Sequence, residues 1–355
     1  MIKNKFVPLN DLEYIKNNIN KEFYSLRNKN IYITGASGFF GKWFIETFLY
    51  VNYYFKLNLK IFLLLRSPKK IEYVKKSSLY KHCNIKILKI DLTNRQSIKK
   101  NLYKKNIDYF IHLASLPYNK KKNWAKKHSE LAICGLKNIL NVCGNRIKIF
   151  FFTSSSVIYY TKSIKDKKSN FSCETQPYKD FLNPNYVYGS CKKLMEEMLA
   201  DYSKQMNFKL KIARSFTCYG PHMSLNDNSL ISEILLAIIK KKPLILNSTG
   251  QSIKSYMYIS DSIIYFLKIL IKGKSLKTYN VGSSEFISVK NLVKKFIFIS
   301  KIKIKFYLGL KKKILDSKVH IPNISNTKKD LDIKSFVSLD KGILQTINWH
   351  QDIKL

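Results

Sequence analysis

The chain has 355 residues, of which 45% are hydrophobic and 25% are charged, and its formal net charge is +41. This composition is typical of a globular protein and excludes a disordered one, and no apolar run approaches the ~18 residues of a membrane span. Because lysines are spread along the whole length, the charge predicts a solvated surface and no specific nucleic-acid partner.

Cysteine and histidine usage argues against disulfides and metal. The six cysteines form no Cys-x-x-Cys pair, and the six histidines show no ligand spacing. The N-terminal stretch also lacks the apolar core of a secretory signal. We therefore expect a cytoplasmic protein with reduced thiols and no metal site.

The first predicted element is an amphipathic helix within residues 1–29, an N-terminal extension docked on the first domain. Apolar residues recur there at helical spacing, and Asn10 or Asp11 can cap the helix. The spaced residues are Leu12, Ile15, Ile19, Phe23 and Leu26.

Six apolar, strand-like runs then alternate with helical stretches. They are 30–35, 59–66, 84–91, 107–115, 147–156 and 210–216. Runs this continuously apolar are typical of parallel strands covered by helices on both faces, so residues 30–220 are predicted to form an α/β domain with a doubly wound parallel sheet. Residues 221–355 are expected to form a smaller substrate-binding lobe, built from a helix at 229–240 and short strands near 244–247 and 279–282, with some return of the chain to the first domain.

A glycine turn follows the first strand. Gly35 permits a sharp turn, Gly38 lets the backbone approach a pyrophosphate, and Gly41 lets the next helix pack closely. Since free N–H groups at a helix N-terminus attract phosphate, this context predicts a dinucleotide site, although a plain turn is the alternative. The other cofactor-binding candidates in the turn are Ser37, Phe39 and Phe40.

The ends of the next two strands bear on the choice of cofactor. Arg66 follows the second strand where an acidic residue would bind the ribose of NAD, and an arginine there suits the 2′-phosphate of NADP. Either NAD or NADP is expected, with a lean to NADP. Asp91, next to Leu92, is placed to reach the adenine amino group, or alternatively to cap the following helix.

Tyr188 and Lys192 form a Tyr-x-x-x-Lys pair on one helical face. An adjacent ammonium favours the phenolate, which makes the tyrosine a candidate base. Tyr118/Lys122 and Tyr307/Lys311 share this spacing, but only Tyr188 begins a helix downstream of a strand that ends in three serines, 154–156. A hydroxyl from that strand end would orient the same substrate oxygen; the alternative is a surface pair beside a serine-rich loop.

With these motifs in place, the sequence resembles the extended short-chain dehydrogenase/reductases of the NAD-dependent epimerase/dehydratase type, which act on nucleotide sugars. The resemblance runs through most of the chain. Its segments are "TGASGFFG" (34–41), "IDLT" (90–93), "HLAS" (112–115), "TSSSVIYY" (153–160), "YGSCK" (188–192), "ARSFTCYGP" (213–221), "GQSIKSYMYISD" (250–261), "YNVGSSEFISV" (279–289) and "HIPNISNTKKDL" (320–331).

The resemblance implies a Rossmann fold and a role for each matching residue. Tyr188 would be the base, Lys192 its activator and a ligand of the nicotinamide ribose, and Ser155 the hydroxyl partner. Residues 112–115 would line the cofactor cleft, and residues 219–221 would open the substrate lobe. The implied cleft residues are Leu113, Ala114 and Ser115, and the implied substrate-binding residues are Ser156, Thr217 and Lys254. A homodimer paired through the Tyr188 helix is also implied.

Four departures from the family pattern shape the predicted reaction. Lys254 replaces a usual arginine, Thr217 a usual asparagine and Tyr160 a usual glycine. Dehydratases usually carry an Asp-Glu pair directly after the active-site hydroxyl, and decarboxylases a glutamate, whereas this chain has Ser156-Val157. The leading hypothesis is therefore hydride transfer at sugar C4, in an epimerase or a 4-ketoreductase.

Two further hypotheses remain open. One is a dehydratase or decarboxylase that draws its carboxylate from Glu174 or Asp180. The other belongs to a different class, a non-catalytic dinucleotide-sensing or nucleic-acid-binding scaffold on the same fold.

Overall fold

A computed structural model describes residues 6–116, 123–159, 184–227, 229–309, 319–334 and 336–351. Fourteen strands occur in these ranges: β1 (Asn30–Thr34), β2 (Lys60–Leu65), β3 (Asn84–Lys89), β4 (Ile107–His112), β5 (Ile147–Ser155), β6 (Lys209–Ser215), β7 (Cys218–Tyr219), β8 (Leu244–Leu246), β9 (Ile253–Ser255), β10 (Met257–Tyr258), β11 (Lys277–Val281), β12 (Phe286–Ser288), β13 (Phe306–Leu308) and β14 (Val319–His320).

The helices of the same ranges are α1 (Leu9–Ile19), α2 (Phe39–Phe55), α3 (Arg95–Leu102), α4 (Trp124–Ser129), α5 (Gly135–Cys143), α6 (Pro184–Gln205), α7 (Leu230–Lys240), α8 (Ile259–Lys272), α9 (Val289–Ser300), α10 (Ser325–Leu331) and α11 (Leu339–Gln351). Short 3-10 segments are Asn20–Leu26, Pro68–Lys76, Ser78–His82, Gly144–Arg146 and Ser156–Ile158, and Glu130–Cys134 is π-helical. None of the helices in the described ranges is long and apolar enough to cross a membrane.

Seven parallel strands form the central sheet in the order β11-β6-β5-β4-β1-β2-β3. This arrangement confirms the predicted doubly wound, Rossmann-type α/β fold. The strand order reverses between β1 and β4, so a crevice opens at the carboxyl ends of these two strands. Because all seven strands run in one direction, every loop that follows a strand emerges at the same edge, here called the carboxyl edge.

The sheet divides the apolar core into two parts. Ile31 and Ile33 of β1 face one cluster with Phe44 of α2, whereas Tyr32 faces the other with Phe110. β1 and β4 are buried along almost their whole length, which matches their apolar sequences. The outer strand β3 is only partly buried, because it lies at the sheet edge and one long side has no neighbouring strand.

The N-terminal helix forms as predicted, but its cap differs. α1 begins at Leu9 after Pro8, no side chain caps it, and Asn10 and Asp11 lie inside its first turn. Asp11 is instead buried and accepts a hydrogen bond of 2.8 Å from Tyr258. Tertiary packing against the segment that leads into α8 thus takes the carboxylate away from the helix end.

The smaller lobe contains less of the chain than a boundary at residue 220 suggests. Residues 279–281, expected in the lobe, lie in β11, which extends the central sheet beside β6. The lobe strands form three small sheets: β7 with β10, β8 with β13, and β9 between β12 and β14. Only β11 of the later strands is long enough to continue the parallel ladder, which explains why the lobe strands pair among themselves.

The thiols of Cys83, Cys134, Cys143, Cys191 and Cys218 are free. Cys173 lies outside the described residues, as do Tyr118, Lys122, Tyr160, Glu174, Asp180 and Lys311, which the sequence had also singled out.

Candidate active site

The glycine turn has the geometry that the sequence predicts. Gly35 has φ +68°, and a Cβ there would lie 2.6 Å from the carbonyl carbon of Leu113. A Cβ on Gly41 would lie 2.4 Å from the Gly35 oxygen. Glycine is therefore required at both positions, because β1 and β4 approach closely and α2 packs directly on the turn.

The start of α2 leaves backbone donors free for a ligand. Gly38 precedes the helix in an extended conformation, and no side chain caps the first turn. A Cβ on Gly38 would approach only the Gly35 oxygen, at 3.2 Å, so the fold itself demands glycine less strictly here. Ser37 and Phe39 are half-buried beside it, while the ring of Phe40 packs on Phe266 at 5.0 Å. The turn fits a pyrophosphate bound at a helix N-terminus.

The other cofactor candidates lie at the same edge, after the next strands. Arg66 follows β2 directly and is exposed. Asp91 accepts hydrogen bonds from the backbone N–H and the hydroxyl of Thr93, at 2.9 and 2.8 Å. The alternative of a helix-capping Asp91 is wrong, since Asn94 caps α3. Leu92 is buried, and its carbonyl accepts from the Asn138 amide at 3.1 Å.

Lys192 lies beneath the end of β5. Its ammonium donates to the Thr153 carbonyl oxygen at 2.7 Å and lies 5.8 Å from the centre of the Tyr188 ring. Burial lowers the pKa of Lys192 to about 8, although the carboxylate of Glu196 opposes that shift. The amine therefore still carries its positive charge at neutral pH, but loses it at a lower pH than an exposed lysine does.

The pKa of Tyr188 corrects one sequence argument. Burial raises the pKa of the phenol, and its interactions with the hydroxyls of Ser115 and Ser155 counter only part of that rise. An adjacent ammonium was expected to lower it. The direction differs because Lys192 is directed at a backbone carbonyl and because burial disfavours the charged phenolate. Sequence spacing shows that two residues share a helix face, but not how much water reaches them.

Two histidines lie near Lys192: His112 belongs to the segment 112–115 that the resemblance implies at the cofactor cleft, whereas no sequence pattern indicated His128. His112 is buried and its Nδ1 lies 2.9 Å from the Thr34 hydroxyl, and burial, together with the charge of Lys192, lowers its pKa to about 3. The ring of His128 lies 5.1 Å from that of Tyr188, and its pKa falls to about 4 for the same two reasons. Both imidazoles are therefore uncharged. The i,i+4 spacing of Trp124 and His128, whose rings stack at 4.9 Å, is the one local signal of this arrangement.

Ser156 begins the turn directly after β5, next to Ser155, and its hydroxyl lies 2.8 Å from Nε2 of His320. β9 and β14 run in parallel and place Lys254 beside His320. Thr217 follows β6, and its carbonyl accepts from the backbone N–H of Met257 at 2.9 Å. His320 lies in the segment 320–331, which carries part of the family resemblance, but no local sequence pattern predicted its contact with Ser156.

A buried network ties the Tyr188 helix to the sheet and to the lobe. The guanidinium of Arg214 donates two hydrogen bonds to Glu196 of α6, at 2.9 and 2.6 Å, and one to the Tyr159 hydroxyl at 2.8 Å. The Tyr159 hydroxyl donates in turn to Asn280 of β11 at 2.8 Å. These hydrogen bonds hold the angle of α6 against the central sheet, and with it the position of Tyr188.

Residues expected from sequence thus follow six strands at one edge, with Lys254 on the lobe opposite. The arrangement combines a phosphate-binding turn with a phenol, an ammonium and a serine hydroxyl. Within the ranges that the structure describes, no three histidine, cysteine or acidic side chains cluster as metal ligands would.

The amino-acid sequence is similar to the members of one family of known proteins. Residues 31–282 match the model of the NAD dependent epimerase/dehydratase family. A dTDP-D-glucose 4,6-dehydratase of Dictyostelium discoideum is 29% identical over 282 residues, which cover 77% of this chain and 62% of that protein. UDP-glucuronic acid decarboxylase 1 of Arabidopsis thaliana is 26% identical over 68% of this chain and 54% of its own length. The chain therefore spans less than two thirds of these relatives.

A solved structure shows the same fold. The dTDP-glucose 4,6-dehydratase of Bacillus anthracis, crystallised with NAD, superposes with a TM-score of 0.74 over 91% of this chain and 97% of its own, at 18% identity. The family match covers residues 31–282, a range that includes the glycine turn and the Tyr188–Lys192 pair. This chain belongs to the NAD dependent epimerase/dehydratase family.

Proposed function

We propose that this protein is an NAD(P)-dependent enzyme that moves a hydride at C4 of a nucleotide-linked sugar, and that its reaction is epimerisation at C4 or reduction of a 4-keto sugar. The observation that carries the proposal is the placement of the Tyr188 phenol beside Ser155 and Lys192, at the sheet edge that also holds the glycine turn.

The residues of the turn fit a dinucleotide. Gly35 and Gly41 have no room for a Cβ, and the uncapped start of α2 offers backbone N–H groups to a pyrophosphate. Arg66 would meet the adenosine ribose, with Asp91 and Leu92 near the adenine. Leu113, Ala114 and Ser115 would line the cleft toward the nicotinamide.

NADP is the cofactor that Arg66 favours, since a guanidinium binds a phosphate group in two-point contact. Arg66 is exposed at the end of β2, where it is free to reach a 2′-phosphate. Replacing it by alanine should weaken NADP binding about tenfold and leave NAD binding unchanged, because one charged hydrogen bond contributes about 1.5–3 kcal/mol. Equal weakening of both cofactors would instead assign Arg66 a structural role.

In the proposed mechanism, a nicotinamide held along the glycine turn and residues 113–115 would supply the hydride acceptor or donor for sugar C4. Tyr188 removes the proton from the C4 hydroxyl and later gives it back. Ser155 hydrogen-bonds the same oxygen and fixes its orientation. Lys192 supplies positive charge near Tyr188, and the hydroxyls of Ser115 and Ser155 counter part of the effect of burial on the phenolate.

The substrate would lie between the carboxyl edge and the lobe. Lys254, half-buried on β9, would bind the diphosphate as a point charge, and Thr217 and Ser156 would contact the sugar. The net charge of +41 favours such an anionic ligand. We further propose a homodimer paired through α6, for which light scattering at micromolar concentration is the direct measurement.

A second candidate is a 4,6-dehydratase or a decarboxylase, and the names of the curated relatives favour it. Ser156 and Val157 carry no carboxyl group at the position where dehydratases and decarboxylases of the family have one, so the acid and base of those reactions would have to be other groups.

Product mass separates these functions. The protein is incubated with NAD or NADP and with UDP-, dTDP-, GDP- and CDP-linked hexoses, and products are weighed by mass spectrometry. An isomer at unchanged mass or a gain of two hydrogens supports the leading proposal, whereas loss of water or of CO2 supports the second. Cofactor binding without turnover of any sugar would contradict both and point to a non-catalytic scaffold.

A further inference from the structure

A serine and a histidine from distant parts of the chain meet beside Tyr188. The Ser156 hydroxyl lies 2.8 Å from Nε2 of His320, across 164 residues of sequence. Ser156 is the residue after Ser155, whose hydroxyl interacts with the Tyr188 phenol. The pair therefore lies directly after the end of β5, one residue from the serine that contacts the proposed base.

The surroundings hold the histidine in one orientation. Its ring packs on Phe216 at 4.9 Å, and the backbone of β14 pairs with β9, where Lys254 is its neighbour. Ser156 is 4% exposed and starts a short 3-10 turn, so its side chain has little freedom. The contact is built by both domains and is not an incidental approach of two flexible side chains.

The other titratable groups near Tyr188 make contacts of different kinds. Lys192 is directed at the Thr153 carbonyl, and His112 is bonded to Thr34 under the sheet edge. His128 is buried against Tyr188 and Trp124. Ser156 with His320 is thus the pair, among the described residues at this edge, that joins a hydroxyl to an imidazole across the crevice.

We propose that Ser156 is a further catalytic residue, activated by His320, which exchanges the proton on a sugar carbon adjacent to C4. The inference rests on the proposed function, because oxidation at C4 makes the neighbouring C–H bonds acidic. Ser156 alone is too weak a base, and a histidine that accepts its proton removes that limit.

The step conserves atoms and electrons. The C–H bond next to the ketone breaks and its proton passes to Ser156 Oγ, while the Ser156 proton passes to His320 Nε2. The electron pair delocalises into the ketone as an enolate. Return of the proton restores the ketone, so the step consumes no oxidant or reductant. His320 acts through Ser156 and is a positioning residue in this scheme.

Proton exchange on a supplied ketone tests the inference without hydride transfer. The probes are dTDP- and UDP-linked 4-keto-6-deoxyglucose in D2O, and NMR follows the loss of the C3 and C5 proton signals. The wild-type protein should accelerate deuterium incorporation over the buffer. Ser156→Ala and His320→Gln should each slow it at least about 100-fold, the usual contribution of acid–base catalysis.

The conservative variants separate chemistry from structure. His320→Gln can still hydrogen-bond Ser156 but cannot take up its proton, so it should bind the free nucleoside diphosphate normally while exchange is lost. Ser156→Thr keeps the hydroxyl and should stay within about tenfold of wild type. His82→Gln, at an exposed histidine, should change nothing.

Each outcome bears on one proposal. Full exchange in His320→Gln, or no exchange by wild type on either probe, would overturn the role of the pair. Hydride transfer is measured separately, as cofactor reduction by nucleotide sugars or NAD(P)H oxidation by the 4-keto probes at 340 nm and as C4 isomers of nucleotide sugars by mass spectrometry with chromatography. Absence of all three alongside normal exchange would overturn the proposed function instead.

Discussion

Two regions of this protein bury ionisable groups. One region adjoins the crevice of the candidate active site, and the other is a packed interface. The first, here called the edge cluster, consists of His112, Thr153, Tyr188 and Lys192 at the carboxyl edge. The second, the α1–α8 seam, consists of Asp11, Tyr14, Tyr258 and Asp261 under the N-terminal helix. In the seam, burial raises the pKa of Asp11 to about 6 and that of Asp261 to about 7. In the edge cluster, burial lowers the pKa of Lys192 to about 8.

The difference lies in the partners of these groups. Asp261 accepts hydrogen bonds of 2.9 Å from Tyr14 and from the backbone N–H of Val337, and Asp11 accepts from Tyr258. The seam carboxylates are therefore satisfied within a packed interface. The edge cluster adjoins a crevice and a glycine turn with uncapped helical N–H groups. A shifted pKa thus identifies a candidate site only where the geometry also leaves room for a ligand.

The largest effect is expected at Tyr188. Tyr188→Phe removes the proposed base and should lower kcat about 1000-fold on whichever nucleotide sugar is turned over, with little change in cofactor affinity. Steady-state kinetics and cofactor titration measure the two quantities. Tyr202→Phe, at a half-buried tyrosine of the same helix, is the matched control. Equal activity of both variants would remove the edge cluster from the chemistry.

The next effect is structural and tests what holds the edge cluster in place. Gly35→Ala forces a left-handed φ on alanine and pushes its Cβ into the backbone of Leu113. We expect a loss of about 3 kcal/mol in the free energy of unfolding, measured by urea denaturation. Gly38→Ala has an ordinary φ and should cost less than about 1 kcal/mol, yet weaken cofactor binding. Similar unfolding free energies for both variants would contradict the close approach of β1 and β4.

The seam should control stability and leave turnover unchanged. The folded-state pKa of Asp261 is raised, so the folded protein binds a proton more tightly than the unfolded chain does. Stability from this group is therefore gained as pH falls from about 7 toward 5 and lost as pH rises, by up to about 1.4 kcal/mol per pH unit.

Asp261→Asn keeps a carbonyl acceptor and cannot ionise, so it should flatten this dependence and be more stable than wild type at pH 8. Thermal or urea unfolding at pH 5, 6, 7 and 8 gives the slope. Asp332→Asn, at an exposed aspartate, should keep the wild-type slope. An unchanged slope in Asp261→Asn, or a large loss of kcat, would overturn the distinction between the two regions.

The smallest effect is expected from Tyr14→Phe, which removes the hydrogen bond from Tyr14 to Asp261. The variant should lose about 1 kcal/mol of unfolding free energy. The loss should be larger at pH 8 than at pH 5, because the carboxylate is then charged and such bonds are stronger. Tyr53→Phe, at an exposed tyrosine, serves as control. A pH-independent loss would mean that Asp261 does not change its protonation state in the folded protein over this range.

Much of the fold could be predicted from the sequence, because its signals are local. The observed ends of β1, β2 and β5 lie within one residue of the predicted runs. The same patterns failed where a neighbour decides the outcome. Residues 279–281 extend the central sheet because β6 offers them a partner edge. Asp11 does not cap α1, because its carboxylate accepts a hydrogen bond from Tyr258 in the seam.

The candidate site likewise combines residues that local motifs indicated with properties that only tertiary packing determines. The motifs indicated Tyr188, Lys192 and the glycine turn, since spacing and strand context suffice to recognise them. The motifs could not indicate that burial raises the pKa of Tyr188, because water access depends on everything packed around the phenol. They also missed His128, whose stacking on Tyr188 depends on where α4 lies against α6.

By itself, the sequence determined the alternation of strands and helices, the glycine turn and the spacing of the Tyr-x-x-x-Lys pair, because each of these features depends on a few consecutive residues. Only the tertiary structure decided that His320 meets Ser156 across 164 residues and that Tyr14 meets Asp261 across 247. Such contacts follow from how whole layers pack. The free energy that fixes them is shared among many side chains and leaves no local pattern to read.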